Sequence, residues 1–188
     1  MTAAGCCVQI VDDIPNPFKD SVKPRFLHAL NKLHLWRLTR YERVVFLDSD
    51  NVVLHNSDEL FGCGRFCVVF MNPCHFHTGL VVVKPDMDEY NRLISILQNG
   101  GQSYDGADQG FLSHVYGAEL MQASLFVGNR SSSTHPDDLM RLPIGYNMHH
   151  LYKFETMSWD MFFVQRFKYV DPPFLTVTYP IAPALKVR

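Results

Sequence analysis

The 188-residue sequence predicts an α/β domain, on three observations. The runs "RVVFL", "FCVVF" and "TGLVVVKP" are β-branched and almost uninterrupted apolar stretches, as strands buried on both faces of a parallel or mixed sheet require. Amphipathic segments alternate with them, which is the pattern of an α/β domain. Hydrophobic residues make up 47% and charged residues 19%, with a net charge of −2, so one folded domain of ordinary size fits and a disordered or nucleic-acid-coating chain does not.

Taken in order, "CCVQIV" is expected to form a first strand, closed by the proline-rich turn "IPNPFKDSVKP". "RFLHALNKLHLWRL" places Phe26, Leu27, Leu30, Leu33 and Leu38 at roughly helical spacing and predicts an amphipathic helix. The strand "RVVFL" follows, and "NVVL" continues it beyond an acidic interruption. "FCVVF" and "TGLVVVKP" are further strands and "DEYNRLISILQN" a helix, while "DQGFLSHVYG" is a second helix behind the turn-forming "YDGAD". "VGNRSSSTHPDD" is a polar loop whose Asn129-Arg130-Ser131 is a formal glycosylation acceptor, relevant only in a secretory lumen. Residues 162–188 give weak strand signals.

The acidic interruption, "LDSDN", carries the chemistry. In open α/β sheets ligands sit beyond the carboxyl ends of strands, and that is where Asp48 and Asp50 fall. In an extended segment residues i and i+2 point the same way, so both carboxylates can converge on one cation while Ser49 faces elsewhere. Hard oxygen ligands suit magnesium or manganese, which keep room for phosphate oxygens and water. The competing reading is structural, with Asp48 capping the strand exit and Asp50 opening an Asx turn.

The flanking residues decide between these. "NKLHLWRLTRYERVVFLDSDNVVLHNSDELF" resembles the nucleotide-sugar-binding core of glycogenin-like glycosyltransferases, family eight of the retaining transferases, and the resemblance continues in order through "FHTGLVVVKP", "YDGADQGFL" and "RLPIGYN". "CGRFCVVFMNPCHFHTGL" is most similar to the plant-type glucuronosyltransferase branch. The resemblance implies a GT-A type, Rossmann-like nucleotide-diphospho-sugar transferase fold with a mixed, mostly parallel sheet. It implies manganese, with magnesium as the alternative, held by Asp48 and Asp50 across the diphosphate of a UDP-sugar, with Ser49 between them in the donor-binding set. Lys32 matches a lysine near the phosphates and sugar, and Arg25 is a weaker candidate for the same electrostatic work. His77 stands where the family often has Asn beneath the donor sugar, and Gly79 would let the backbone approach the ligand. Asp108 and Gln109, from "GADQG", match positions beside the anomeric carbon, and Asp108 doubles as a helix N-cap on the structural reading. Asn147 matches a position near the acceptor or sugar. Front-face attack, with the acceptor proton passing to a phosphate oxygen, is the favoured route to retention, and Asp108 as nucleophile is the alternative.

The resemblance implies a UDP-sugar donor, a glycan, lipid or protein acceptor, no nucleic acid, and a homodimer as a candidate assembly. The chain is expected to be one catalytic domain over residues 1–188 that is incomplete at both ends, without the first nucleotide-binding strand or the terminal Lys-Pro-Trp. Lys186 is the counterpart of that lysine, and Thr178 or Tyr179 occupies the place of the third metal ligand, a His. A Golgi or other membrane-associated compartment is expected for the full-length family. The N-terminus is a poor signal peptide and no run spans a membrane, so this chain by itself is expected to be soluble.

Two rivals remain at the level of sequence. One is a catalytically inactive module that keeps the fold. The other is a structural zinc site from Cys63, Cys67 and Cys74 with His75 or His77, against which Cys67 reads as a buried thiol; the odd count of five cysteines leaves the redox compartment open. For a glucuronate donor, Lys84 and Arg141 are the cations considered for its carboxylate.

Overall fold

A computed structural model of the protein describes residues 8–53, 55–72, 74–128, 137–147, 176–178 and 185–187. Its strands are β1 (Val44–Leu47), β2 (Asn51–Val53), β3 (Phe66–Asn72), β4 (His75–Val83), β5 (Leu139–Leu142), β6 (Thr176–Thr178) and β7 (Leu185–Val187), with α-helices α1 (Met87–Gln98) and α2 (Asp108–Gln122). A five-stranded sheet runs β5-β3-β4-β1-β7, and β2 with β6 makes a separate two-stranded ribbon. The α/β class and the mixed sheet are as expected, but the balance of directions is not. Among the described pairings of the main sheet only β3 with β5 is parallel, while β1 with β4, β1 with β7 and β3 with β4 are antiparallel. Two residues separate β3 from β4, too short for any crossover, so that pair has to be a hairpin.

Side chains alternate across the sheet, and both faces are covered. Val44, Phe66, Val68, Phe76, Val81 and Val83 face a core completed by Leu30, Leu33, Trp36, Leu93, Phe111 and Tyr116. Val45, Leu47, Cys67, Val69, Leu80 and Val82 face a second one, completed by Leu60, Phe126, Ile144 and Tyr146. This two-sided burial is the reason that "RVVFL" and "GLVVV" lack the polar alternation of a half-exposed strand.

Several elements differ from the sequence expectation. The segment "RFLHALNKLHLWRL" is not an α-helix but two 3₁₀ segments, Pro24–Phe26 and Ala29–Arg37. Leu30, Leu33 and Trp36 are each at most 1% exposed, and their spacing of three residues matches the three-residue turn of a 3₁₀ helix, which lines them up on one edge. Trp36 packs on Phe66 with ring centroids 5.5 Å apart, fixing this helix to the sheet. Residues 8–13 form no strand, and Val8 and Ile10 are exposed; Cys6 and Cys7 lie outside the described residues. The chain docks instead through Ile14, whose amide donates to Asn31 Oδ1 at 2.8 Å, and through Asp12, whose carbonyl meets His34 Nε2 at 2.7 Å. "NVVL" does not continue β1 but turns away into the ribbon with β6.

Cys63 and Cys67 are joined in a disulfide, with both residues buried, which removes the zinc site and corrects the reading of Cys67 as a free thiol. The chain reverses at Cys63 and Gly64 into β3, bringing the two Cα atoms to 6.6 Å, within disulfide reach. Cys74 is exposed and not disulfide-bonded. No helix among the described residues is long and apolar enough to cross a membrane.

Candidate active site

The site is built where β1 ends. The polypeptide leaves β1 at Asp48 and makes a tight turn through Ser49 and Asp50, closed by the Asn51 amide donating to the Asp48 carbonyl at 3.1 Å. Asp48 and Asp50 are therefore not alternate residues of an extended strand, as the sequence spacing suggests. They are two corners of one turn, half-buried together with Ser49.

Beneath the turn lies Lys32, projected from the 3₁₀ helix Ala29–Arg37. Its side chain is 8% exposed, and its ammonium lies 2.7 Å from Asp108 and 3.2 Å from Asp48. It also donates to the Thr78 carbonyl at 2.8 Å and sits 4.9 Å from the centre of the Phe46 ring. Burial works against the charged lysine, yet Asp108 and then Asp48 outweigh it and hold the ammonium above its ordinary pKa. Asp48 moves up as well: burial raises it, Lys32 opposes this, and the charges of Asp108 and Asp50 add to the rise. Asp48 and Asp108 thus share one ammonium, with Asp50 adding its charge beside Asp48.

Asp108 reaches this cluster because it opens α2 as a buried helical residue. It is not the N-cap. Asp105 does that work, its Oδ1 accepting from the amides of Ala107 at 2.9 Å and Gly110 at 3.0 Å. A Cβ on Gly110 would lie 2.5 Å from that same oxygen, which explains the glycine of "DQG". Gln109 turns aside and donates from Nε2 to the Tyr104 hydroxyl at 2.6 Å, while Tyr104 meets His75 edge-on at 5.6 Å.

The segment His77-Thr78-Gly79 of β4 is the junction of the whole arrangement. The Thr78 carbonyl accepts from Lys32, and the Gly79 carbonyl accepts from the Asp48 amide at 2.7 Å and from Asn51 Nδ2 at 2.5 Å. His77 lies on a strand rather than a loop, as does His75. Asn147, 1% exposed, approaches His77 Nδ1 at 2.9 Å. A Cβ on Gly79 would come within 2.6 Å of the His77 ring, so His77 by itself demands the glycine.

The structure therefore brings together Lys32, Asp48, Ser49, Asp50, His77, Gly79, Asp108 and Asn147. Arg25 stands apart on the short Pro24–Phe26 segment, exposed, its guanidinium 4.5 Å over Phe26. Lys84 follows the far end of β4 and pairs with Asp137 on the surface, so it does not serve this site. Arg141, on β5, lies 5.7 Å over Phe70 with a buried Nε that has no hydrogen-bond partner. Sequence reasoning missed Asn51, Thr78, Phe46 and Asp105. The first two act through backbone registration that no motif encodes, whereas Asp105 could have been read as an Asx-turn residue ahead of α2. The β2–β6 ribbon sets Thr178 opposite Asn51, next to the acidic turn; Tyr179 lies outside the described residues. Among the described residues no group of three or more His, Cys, Asp and Glu side chains converges as a metal centre.

The mixed sheet, with its α-helices packed on one of its two covered faces, has a fold of GT-A type. Solved structures agree: a bifunctional glycosyltransferase, WbbM, superimposes with a TM-score of 0.55 at 16% identity over 82% of this chain and 31% of its own. The glycosyltransferase GlyE of Streptococcus pneumoniae gives 0.53 at 15% identity over 89% and 45%.

Sequence relatives narrow this further. Over 159 residues, 84% of the chain and 32% of the relative, it is 43% identical to "Putative glucuronosyltransferase PGSIP8" of Arabidopsis thaliana. It is 33% identical to inositol phosphorylceramide glucuronosyltransferase 1 of the same plant over 62% of the chain and 21% of the relative, and 37% identical to glycogenin-1 of Caenorhabditis elegans over 58% and 27%. No family model matches the chain. The chain is thus similar in sequence to plant glucuronosyltransferases and to glycogenins, and it spans about a third of the length of the first of these plant relatives.

Proposed function

We propose that these residues form the donor site of a retaining glycosyltransferase, which moves a hexosyl or glucuronosyl group from a UDP-sugar to an acceptor hydroxyl with manganese bound. The observation that carries this reading is the buried Lys32 ammonium between Asp48 and Asp108, which ties the acidic turn to the first residue of α2. A fold needs no such arrangement, because desolvating one ammonium and two carboxylates offsets much of what their attraction returns.

The donor set fits a hard divalent cation. Asp48 and Asp50 present oxygen ligands from one turn, and the excess of carboxylates over ammonium leaves negative charge for a cation to neutralise. Its remaining ligands would be phosphate oxygens and water. When bound, the ion supplies charge neutralisation at a departing diphosphate. Lys32 fixes Asp108 and Asp48 relative to each other. Because the Asp108 carboxylate lies 2.7 Å from an ammonium, its charge is engaged and its power as a nucleophile reduced, which favours front-face attack with Asp108 orienting sugar hydroxyls. For a glucuronate donor, Arg141 is the remaining cation of the two considered, since Lys84 is at the wrong end of β4.

The deciding experiment is calorimetric titration of UDP into the protein with and without manganese, for the parent and for Asp48→Ala and Asp50→Ala. Metal-dependent UDP binding is expected in the parent and lost in both variants. Undiminished binding in either variant overturns the metal assignment, and no binding by the parent overturns the donor site.

A further inference from the structure

Tyr104 is held at its hydroxyl by Gln109 Nε2, at 2.6 Å, and at its ring by the edge-to-face contact with His75, yet it is 58% exposed. Phe26, the next most exposed aromatic side chain among the described residues, is covered by the Arg25 guanidinium. Burial of the Tyr104 hydroxyl raises its pKa, Gln109 opposes this, and the charges of Asp105 and Asp108 add to the rise, so the phenol is neutral and lies within reach of the Asp108 charge. Its place along β4 orders the site. The acidic turn meets β4 at Gly79, Lys32 holds Asp108 beside Thr78, and Tyr104 meets His75, the first residue of the strand. Gly79 and His75 are four residues apart, at most about 14 Å of strand, which is the reach of a diphosphate with one hexose attached.

We propose that Tyr104 is the platform on which a pyranose ring of the acceptor stacks, and that Gln109 is the positioning residue that holds it there. Gln109 is then not a contact of the transferred sugar. A pyranose offers a face of C–H groups with hydroxyls around its rim, and here a flat apolar ring is bordered by an amide and an imidazole, which match face and rim in turn. An alkyl chain would cover the ring but desolvate the amide and the imidazole with no hydrogen bonds in return. Fixing the ring before the acceptor arrives lowers the ordering cost of binding. The inference rests on the donor-site reading above, since it takes the diphosphate to lie at the acidic turn and the transferred sugar beside Asp108, with the acceptor next in line.

The test takes the full chain with UDP and magnesium, a diamagnetic ion, and adds methyl α- and β-pyranosides of glucose, galactose, mannose and xylose, read by saturation-transfer NMR on their C–H protons. UDP affinity is measured first by calorimetry, and no UDP binding by the parent overturns the donor-site reading and this inference with it. At least one glycoside is expected to bind, with saturation strongest on one ring face. Tyr104→Phe should keep that affinity within about threefold and Tyr104→Ala should lower it about tenfold, the loss of one buried ring face, with UDP affinity unchanged in both. Gln109→Ala should weaken the glycoside about threefold, the equivalent of one hydrogen bond, and shift the Tyr104 ring signals in a ¹³C-tyrosine spectrum. Unmoved Tyr104 signals in that variant overturn the positioning role. Equal glycoside affinity in parent and Tyr104→Ala, or no glycoside binding by a parent that binds UDP, overturns the platform. Parallel loss of UDP and glycoside in Tyr104→Ala marks a structural role and overturns it too, as does binding of octanol or a serine-containing peptide in place of the glycosides.

Discussion

Replacing Lys32 with Met removes the ammonium while keeping an unbranched apolar stem over Phe46. Asp108, with its side chain 8% exposed, is then left as a buried charge without its cation. Removing one partner of a buried ion pair costs about 3–5 kcal/mol, because the other charge stays desolvated. The Asp48 side chain is 36% exposed, so water screens its share, and the lower end of that range, about 3 kcal/mol, is expected. For a chain of this size about 1 kcal/mol moves the melting temperature by about 2–4 °C, so a fall of about 6–12 °C should appear in a thermal melt. The pKa of Lys32 is raised in the folded state, so its contribution is complete below the unfolded lysine value of about 10.4 and disappears as pH climbs through the folded one. The gap between parent and variant should accordingly be constant from neutral pH to about 10 and narrow above it. Adding Asp108→Asn should recover stability, since a neutral amide needs no cation. A shift smaller than about 2 °C, or a double variant no more stable than Lys32→Met, refutes the claim that this ammonium is what makes the buried Asp108 carboxylate tolerable.

Three other outcomes follow from the same geometry. Manganese affinity should drop as pH falls through the raised Asp48 pKa, at a pH above the ordinary aspartate value of about 3.9, because metal binding needs the carboxylate; titrations followed by manganese EPR between pH 4 and 7 read this directly. Gly79→Ala sets a Cβ within 2.6 Å of the His77 ring and should cost about 1–3 kcal/mol in urea denaturation, with much of that returned by adding His77→Ala. Opening the Cys63–Cys67 loop with a double Ser replacement should cost about 2 kcal/mol by loop entropy, and reductant should lower the parent's urea midpoint without affecting the variant.

How much of this the sequence disclosed depends on the kind of signal each element carried. β1, β3 and β4 were legible because burial on both faces enforces continuous apolar runs, and α1 because Asp86 caps it by accepting from Asp88 and Glu89 ahead of a periodic stretch. The segment ending at Arg37 was misread since apolar residues at positions 30 and 33 suit a 3.0-residue turn as well as a 3.6-residue one, and only packing of Trp36 on Phe66 selects between them. "CCVQIV" has strand composition but residues 8–11 pair with no described strand, and composition cannot supply a partner. β5, Leu139–Leu142, was overlooked because its four residues include Arg141, which dilutes the apolar run.

The candidate site divides in the same way. Asp48, Asp50, Lys32, His77, Asp108 and Asn147 were all nominated from motifs, since residue type and order are properties of the chain. Which of them touch was decided by long-range register: Lys32 meets Thr78 across 46 positions, and Asn147 meets His77 across 70. The sequence alone therefore determined the α/β class, the family resemblance and the acidic pair at the end of a strand, all of which depend on local pattern. Tertiary structure decided that the turn is closed rather than extended, that Lys32 bridges Asp48 and Asp108, and that Cys63 binds Cys67. Each is a matter of distance and direction between atoms remote in sequence or facing across a turn, set by how the chain packs.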